Sequence, residues 1–296
     1  MKVSFPIVVA VCFVLIAKTQ AQIDPIVFQT SLFATKNISA MAIGSESVLM
    51  SGGSQSIRAA NLTDIYATAN VSLVSVQVAG ELALGGHLSQ KSSQIRNIRY
   101  FNEPLHDFMQ HGSALSNFSL ELSQQLAHGS FQRLDYNHVT LTGADPVINF
   151  FDADYFYFND HVNFNVPVGS IAIVNVRGMN PNFSMLNFNR PNDRFPGIDP
   201  RNLLINFPDV LNLGVNSSQI GGSILAPRAS VMIQATSIYG STVASDIQAL
   251  GSDFYARPFR GTDRQIVTEP LSSAGFLLGG LMILAMFRKL FVLDTV

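Results

Sequence analysis

The densest group of side chains able to do chemistry in this sequence is Asp152-Ala-Asp154-Tyr-Phe-Tyr-Phe-Asn-Asp160-His161. On a strand, Asp152 and Asp154 would share one face. Hard carboxylate oxygens of this kind hold Ca2+, and two carboxylates about 5 to 9.5 Å apart cleave glycosidic bonds. A solvated turn between strands accounts for the same residues with no ligand at all. Asp152, Asp154 and Asp160 are therefore weak metal candidates, Ca2+ is the one cofactor they suggest, and the Asp152/Asp154 region is the one starting point for a polysaccharide hydrolase or lyase. No EF-hand or Gly-Asp nonapeptide repeat accompanies them.

Other chemistry is harder to find. There is no GxSxG elbow, HExxH, Walker A or GxGxxG motif. The six histidines, His87, His106, His111, His128, His138 and His161, do not cluster. His106 and His111 are five apart, about 140° around a helix, so they cannot face one metal. The chain has no Trp to serve as a sugar platform, so Tyr155 and Tyr157 would have to substitute. An ice-binding plane would need Thr-x-Thr pairs down several coils, and Thr140/Thr142 is the one such pair. The formal charge of -2 and 13% charged residues leave no basic footprint for nucleic acid. With 47% hydrophobic residues the chain is too apolar to be disordered.

Both ends carry targeting features. Lys2, an apolar stretch from Val3 to Ala17 and small residues in Lys18-Thr-Gln-Ala21 predict a signal peptide over 1–21, cleaved after Ala21; an uncleaved membrane anchor is the alternative. The sole cysteine, Cys12, lies inside it, so the mature chain would have neither disulfide nor thiolate metal site. Loss of Lys2 and Lys18 leaves 16 basic against 20 acidic residues. Residues 263–270 read as a linker, 271–289 as a hydrophobic anchor or sorting segment, and 290–296 as a short tail. The 17 residues from Leu271 to Phe287 would span roughly 25 Å as a helix, borderline for a bilayer unless Arg288 and Lys289 snorkel. A buried core helix is the alternative.

Between the ends, apolar residues mostly alternate, the pattern of half-buried strands. Ile220-Gly-Gly222-Ser-Ile224-Leu-Ala226 recurs 18 residues later as Ile238-Tyr-Gly240-Ser-Thr242-Val-Ala244, and Val78-Ala-Gly80-Glu-Leu82-Ala-Leu84 follows the same template. That shift suits one coil of a β-solenoid, with Gly80, Gly222 and Gly240 expected at its corners; a sandwich sharing this pattern is the alternative. Leu105, Phe108, Met109, Leu115, Phe118, Leu122 and Leu126 trace a helical stripe between Asn102 and Gly129, which would bury itself against one side of the solenoid. Val162, Phe164, Val166 and Val168 share one strand face. Asn180 to Pro200, crowded with Asn, Pro, Asp and Arg, reads as a long surface loop. Asn-x-Ser/Thr sequons at Asn37, Asn61, Asn70, Asn117, Asn182 and Asn216 are glycosylation acceptors in a host that glycosylates exported proteins.

The run Leu203-Leu-Ile-Asn206-Phe-Pro208-Asp-Val, then Gly222-Ser-Ile-Leu-Ala-Pro227, then Asp253-Phe-Tyr-Ala-Arg-Pro258-Phe259-Arg-Gly261 resembles the extracellular domain family called choice-of-anchor A. Thr140-Leu-Thr-Gly, Val147-Ile-Asn-Phe and Ile171-Ala-Ile-Val-Asn175-Val fit the same order, and the likeness runs from Val27 to Gly261. It implies an exported, adhesive surface domain of solenoid type with a helix alongside and no catalytic residues. Thr268-Glu269-Pro270, the apolar block and Arg288-Lys289 resemble a PEP-CTERM sorting signal, with Thr in place of the first Pro and a run-on to Val296.

The sequence thus predicts a mainly β fold, a right-handed parallel β-solenoid (β-helix) over 22–262 with one long α-helix packed alongside, plus a C-terminal hydrophobic helix. The expected protein is secreted, non-enzymatic and adhesin-like or part of an extracellular matrix, held at the cell surface by its C-terminal membrane segment. Its partners would be surface polysaccharide, matrix or other cell-surface proteins, met through the polar strand faces and the 180–200 loop. An exported polysaccharide-acting enzyme and a self-associating coat protein are the alternatives.

Overall fold

Short runs of alternating apolar residues, each too short to bury a face alone, wind into stacked coils whose inward side chains meet those of the next coil. The computed structural model describes residues 26–45, 48–62, 64–100, 108–153, 156, 160–178, 181–189, 197–255 and 257–262. All strands join one sheet that wraps around a closed interior. The pairing is parallel except where Ser130–Arg133 meets His138–Thr142.

Three faces run the length of this solenoid. The first stacks ten rungs: Ile148–Ala153, Ile171–Val176, Leu203–Asn206, 223–226, 242–244, Leu32–Ala34, Val48–Ser51, Asp64–Ala67, 82–84 and 97–100. The second runs from Asn182–Ser184 through Asn212–Asn216, 230–234, 246–250, Ile38–Met41, 55–58 and 71–74 to Leu88–Lys91. The third runs from His138–Thr142 to residues 94 and 95.

Spatial order departs from chain order. The coil at 242–255 pairs on its far side with the first coil of the chain: Leu32 lies beside Thr242, Ile38 beside Ile247, Gly44 beside Asp253. Residues 32–100 therefore extend the stack begun by 138–255, and the chain returns through α2 (Phe108–Ser123).

The 18-residue repeat occupies neighbouring coils in register, with Ile220 beside Ile238, Leu225 beside Val243 and Ala226 beside Ala244. Its glycines sit at the corner between the third and first faces, as expected, but without a left-handed backbone. Gly222, Gly240 and Gly80 are absent from the positive-φ positions. A Cβ at Gly240 would run into the backbone of Gly222, and one at Gly222 into the Leu203 side chain; both are bare so that coils can approach. The left-handed corners lie between the second and third faces, at Met185, Ser217, Ala235, Gly251, Ala42, Ala59, Ser75 and Ser92, one per coil.

The interior is filled by size. Phe156, Phe164, Phe183, Phe188 and Phe207 interlock at one end with ring centroids 5.1 to 6.1 Å apart, while Ile, Leu, Val and Ala fill the coils of residues 32–84. A second apolar layer lies outside the first face, where Phe33, Met50, Phe150, Ile171, Ile173, Leu204, Leu225 and Val243 are covered by Leu115 and Leu122 of α2, by Val27 and Phe28 of α1 (Ile26–Gln29), and by Phe259.

Several expectations need correction. The described helix has 16 residues and ends at Ser123, so Leu126 of the predicted stripe lies beyond it and is 76% exposed. The strand carrying Val162 and Phe164 ends at Asn165, leaving Val168 in solvent. Residues 182–184 and 187–188 are rungs of a coil rather than surface loop, because the alternating Phe183 and Phe188 point into the aromatic core. The signal segment, the linker, the C-terminal hydrophobic helix and Leu105 lie outside the described residues. Among the described residues no helix is long and apolar enough to cross a membrane.

Candidate functional site

The first face is covered over much of its length by α2, α1 and Phe259, and the second and third faces are open. On the second, period-two alternation sends Ile38, Ile57, Val71 and Leu73 inward and their neighbours out. Because successive coils are in register, the outward residues form columns along the solenoid axis. One column is Ser39, Ser56, Ser72 and Ser89. Beside it run Asn37, Ser54, Asn70 and His87, tied by Ser54 N–H donating to Asn37 Oδ1 at 3.0 Å and His87 N–H donating to Asn70 Oδ1 at 2.8 Å. Gly53 and Gly86 leave the space these two Asn side chains occupy. On the other side stand Met41, Arg58, Val74 and Lys91.

The serines and the Asn37-Ser54-Asn70-His87 column together line a shallow trough of about 440 Å3. Four rungs give it a length of about 14 Å, and Met41, Arg58, Val74 and Lys91 lie beside it, two residues beyond the serines on each rung. Asp246, at one end, is engaged by Asn37 Nδ2 at 3.2 Å and Lys36 Nζ at 3.8 Å. Arg58 and Lys91 have no ion-pair partner among the described residues and project into solvent.

The third face presents a polar column of His138, His161, Asn187, Gln219, Ser237 and Asp253, continued beyond the rungs at 44 and 61 by Gln77 and Gln94. Tyr239 and Tyr255 stack on it, centroids 4.5 Å apart and planes 8° from parallel. At the far end Asp135 is held below the usual carboxylate range by the Asn137 N–H and then by the His138 ring.

Among the described residues singled out for chemistry, the ring centroids of His138 and His161 lie 5.3 Å apart, while Asp152 and Asp160 are engaged by separate partners. Asp152 accepts from Arg177 at 3.1 Å and from Asn175 at 3.4 Å, at the edge of the helix seam. Asp160 is fully buried, and Arg133 grips it through both guanidinium nitrogens at 2.8 and 2.9 Å. Each carboxylate thus already has its cation. Asp154, Tyr155, Tyr157 and His106 lie outside the described residues, and among those described no three His, Cys, Asp or Glu side chains converge on a metal position. Of the sequons, Asn37 and Asn70 border the trough, Asn117 is exposed on α2, and Asn61, Asn182 and Asn216 sit on strands.

Sequence reading missed the serine column, although its spacings of 17, 16 and 17 match the coil length. It also missed Tyr239/Tyr255, whose 16-residue separation carries the same signal.

These features define a parallel solenoid with one face partly covered by helices and two open polar faces. The chain belongs to the family described as "Putative Ice-binding-like adhesive domain", whose signature matches residues 29–254. No curated protein sequence matches it. Among solved structures it is similar to an ice-binding protein from the Antarctic ascomycete Antarctomyces psychrotrophicus, with 12% identity, 80% of this chain and 96% of the other covered, and a TM-score of 0.40. It is also similar to an ice-binding protein from an Antarctic biological consortium (9% identity, 75% and 86% covered, TM-score 0.35) and to a glycosylated one from an Arctic yeast (10%, 77% and 94%, TM-score 0.31).

Proposed function

We propose that this protein is an exported, non-enzymatic adhesive module of the choice-of-anchor A kind, a right-handed solenoid held at the cell surface by its C-terminal segment. In this reading it attaches to surface polysaccharide, matrix or neighbouring cell-surface proteins. The observation that carries the reading is the pair of open faces, the second and third, on which small polar side chains repeat in register while α2, α1 and Phe259 cover much of the first. Such a face offers many weak contacts on a rigid base, and tethering many copies to one cell multiplies them.

Deleting residues 180–200 would remove rungs from the stack, so it tests folding and not attachment. Substitutions on the open faces are the cleaner probe. Beads coated with the purified protein should adhere to matrix-covered surfaces, and bulky substitutions at Ser56 and Ser72 or at Tyr239 should release them without changing the thermal transition. Full adhesion by the variants of both faces would sink the proposal.

The family description also names ice. A lattice plane demands a bare, uniform surface, whereas the long side chains of Met41, Arg58 and Lys91 run beside the serine column. A trough fits a chain-like ligand better, so the purified protein should leave ice growth unaltered in a freezing-point hysteresis assay.

A further inference from the structure

We infer that the trough on the second face binds a linear acidic polysaccharide, a polyuronate, with its hydroxyls on the serine column and its carboxylates on Arg58 and Lys91. The inference rests on the adhesive reading and names the ligand class for one of its two faces.

Three features converge on that ligand. The serine column, Ser39-Ser56-Ser72-Ser89, supplies only hydroxyls, each able to donate one hydrogen bond and accept two. It therefore matches a partner that is itself rich in hydroxyls. It runs straight along the axis, repeating at about 4.8 Å per coil, so an extended chain of sugar rings can lie in it and meet one serine after another. The charge is one-sided as well. Arg58 and Lys91 lie beside the serine column, on the side away from Asn70 and His87, separated by the uncharged Val74 and so by two coils, about 9.6 Å. No acidic residue stands on the second face over 54–58, 70–74 or 87–91. Two unpaired cations two rungs apart suit acidic groups carried at intervals along a chain. A neutral glycan would leave them unused.

The test uses the purified full chain, immobilised, with alginate as the polyuronate, dextran as a neutral chain and inorganic polyphosphate as a polyanion without hydroxyls. Alginate should be retained at low ionic strength and released as salt rises, since exposed charges are screened within about 10 Å at 0.1 M. Dextran should pass through, and polyphosphate should bind at least tenfold more weakly than alginate. Arg58→Gln with Lys91→Gln should weaken alginate binding at least tenfold, and Ser72→Phe, which fills the trough but keeps both cations, should do the same. All these positions are solvent-facing, and an unchanged thermal transition shows that each variant is folded. The inference is overturned if folded wild-type protein fails to retain alginate, if Ser72→Phe binds it normally, or if polyphosphate binds as well as alginate. Bead adhesion to a matrix free of uronates separates the two claims: if it persists while alginate binding is absent, the trough assignment fails and the adhesive reading stands.

Discussion

Asn206 and Ser119, 87 residues apart in sequence, hydrogen-bond each other twice inside the seam between α2 and the first face. Ser119 Oγ donates to Asn206 Oδ1 at 2.5 Å, and Asn206 Nδ2 donates to the Ser119 carbonyl at 2.8 Å. Asn206 Nδ2 also donates to Asn175 Oδ1 at 2.8 Å, and Asn175 Nδ2 to the Leu122 carbonyl at 3.1 Å. Asp152, Asn175 and Asn206 are register neighbours, so one outward column of the sheet holds the last turn of the helix. Together with Arg177 on the Ser123 carbonyl, it satisfies carbonyls that a helix end leaves without partners. Asn206→Ala strands buried acceptors and should cost about 1–3 kcal/mol. Denaturant titration checks this, and a double-mutant cycle with Ser119→Ala should show non-additivity of at least ~0.5 kcal/mol.

The corners between the second and third faces supply a prediction of opposite sign. Ala42, Ala59 and Ala235 have φ of 52°, 49° and 48°, where a β-carbon costs roughly 1–2 kcal/mol. Glycine removes that cost, while its looser unfolded chain takes back roughly 0.5–1 kcal/mol. Ala42→Gly, Ala59→Gly and Ala235→Gly should each leave the protein unchanged or more stable, by up to about 1.5 kcal/mol. Ala40→Gly, at a buried strand position, should destabilise it. Equal losses at all four sites in chemical denaturation would contradict the corner assignment.

These corners also explain what the sequence concealed. The coil was legible where neighbouring rungs reuse the same residue types, as in Ile220/Ile238 and Ala226/Ala244. It was not legible where the left-handed corner carries Ala or Ser, because a small residue leaves no turn signature, and the glycines that drew notice serve close packing. Strands of two or three residues, such as 187–188, are too short to show alternation, so a coil there reads as loop. The stacking of residues 32–45 on 242–255 left no trace, since parallel neighbours two hundred residues apart share only small and aliphatic types. The acidic segment at 152–160 drew attention by composition alone, and composition does not reveal that Arg133 and Arg177 are its partners.

The Arg133–Asp160 pair is the most exposed to disruption from within. Asp160 is fully buried, whereas Arg133 is 23% exposed. Removing one member of such a pair leaves an uncompensated charge in a medium that solvates it poorly, at a cost of about 3–5 kcal/mol, whereas replacing both by apolar residues is often neutral. Arg133→Met should therefore lower stability severely, and adding Asp160→Leu should recover most of the loss. The comparison is read from denaturation midpoints of the wild type, the single variant and the double variant. A double variant no better than Arg133→Met would show that the carboxylate is not the source of the cost.

The order of the coils makes the final prediction, about folding. In the native chain the first coil cannot add to the stack until the coil at 242–255 has formed, so the pairs Ile38/Ile247 and Leu32/Thr242 close loops of more than two hundred residues. Non-local pairing of this kind slows folding, because loop entropy is spent before the contacts reward it. Phe28 and Phe259 lie with ring centroids 5.6 Å apart, so residues 26 and 262 can be joined by a short linker. Opening the chain between 100 and 108 then yields a permuted sequence, 108–262 followed by 26–100, in which every coil after the hairpin comes directly after its spatial neighbour. This permutant should keep the parallel β circular-dichroism spectrum and refold faster than the chain in its natural order by stopped-flow, with the gain confined to the folding limb of the chevron. The long-range pairs are formed in both versions once folded, so unfolding rates should differ little. If the permutant refolds no faster, closure between the first and last coils is not the step that limits folding.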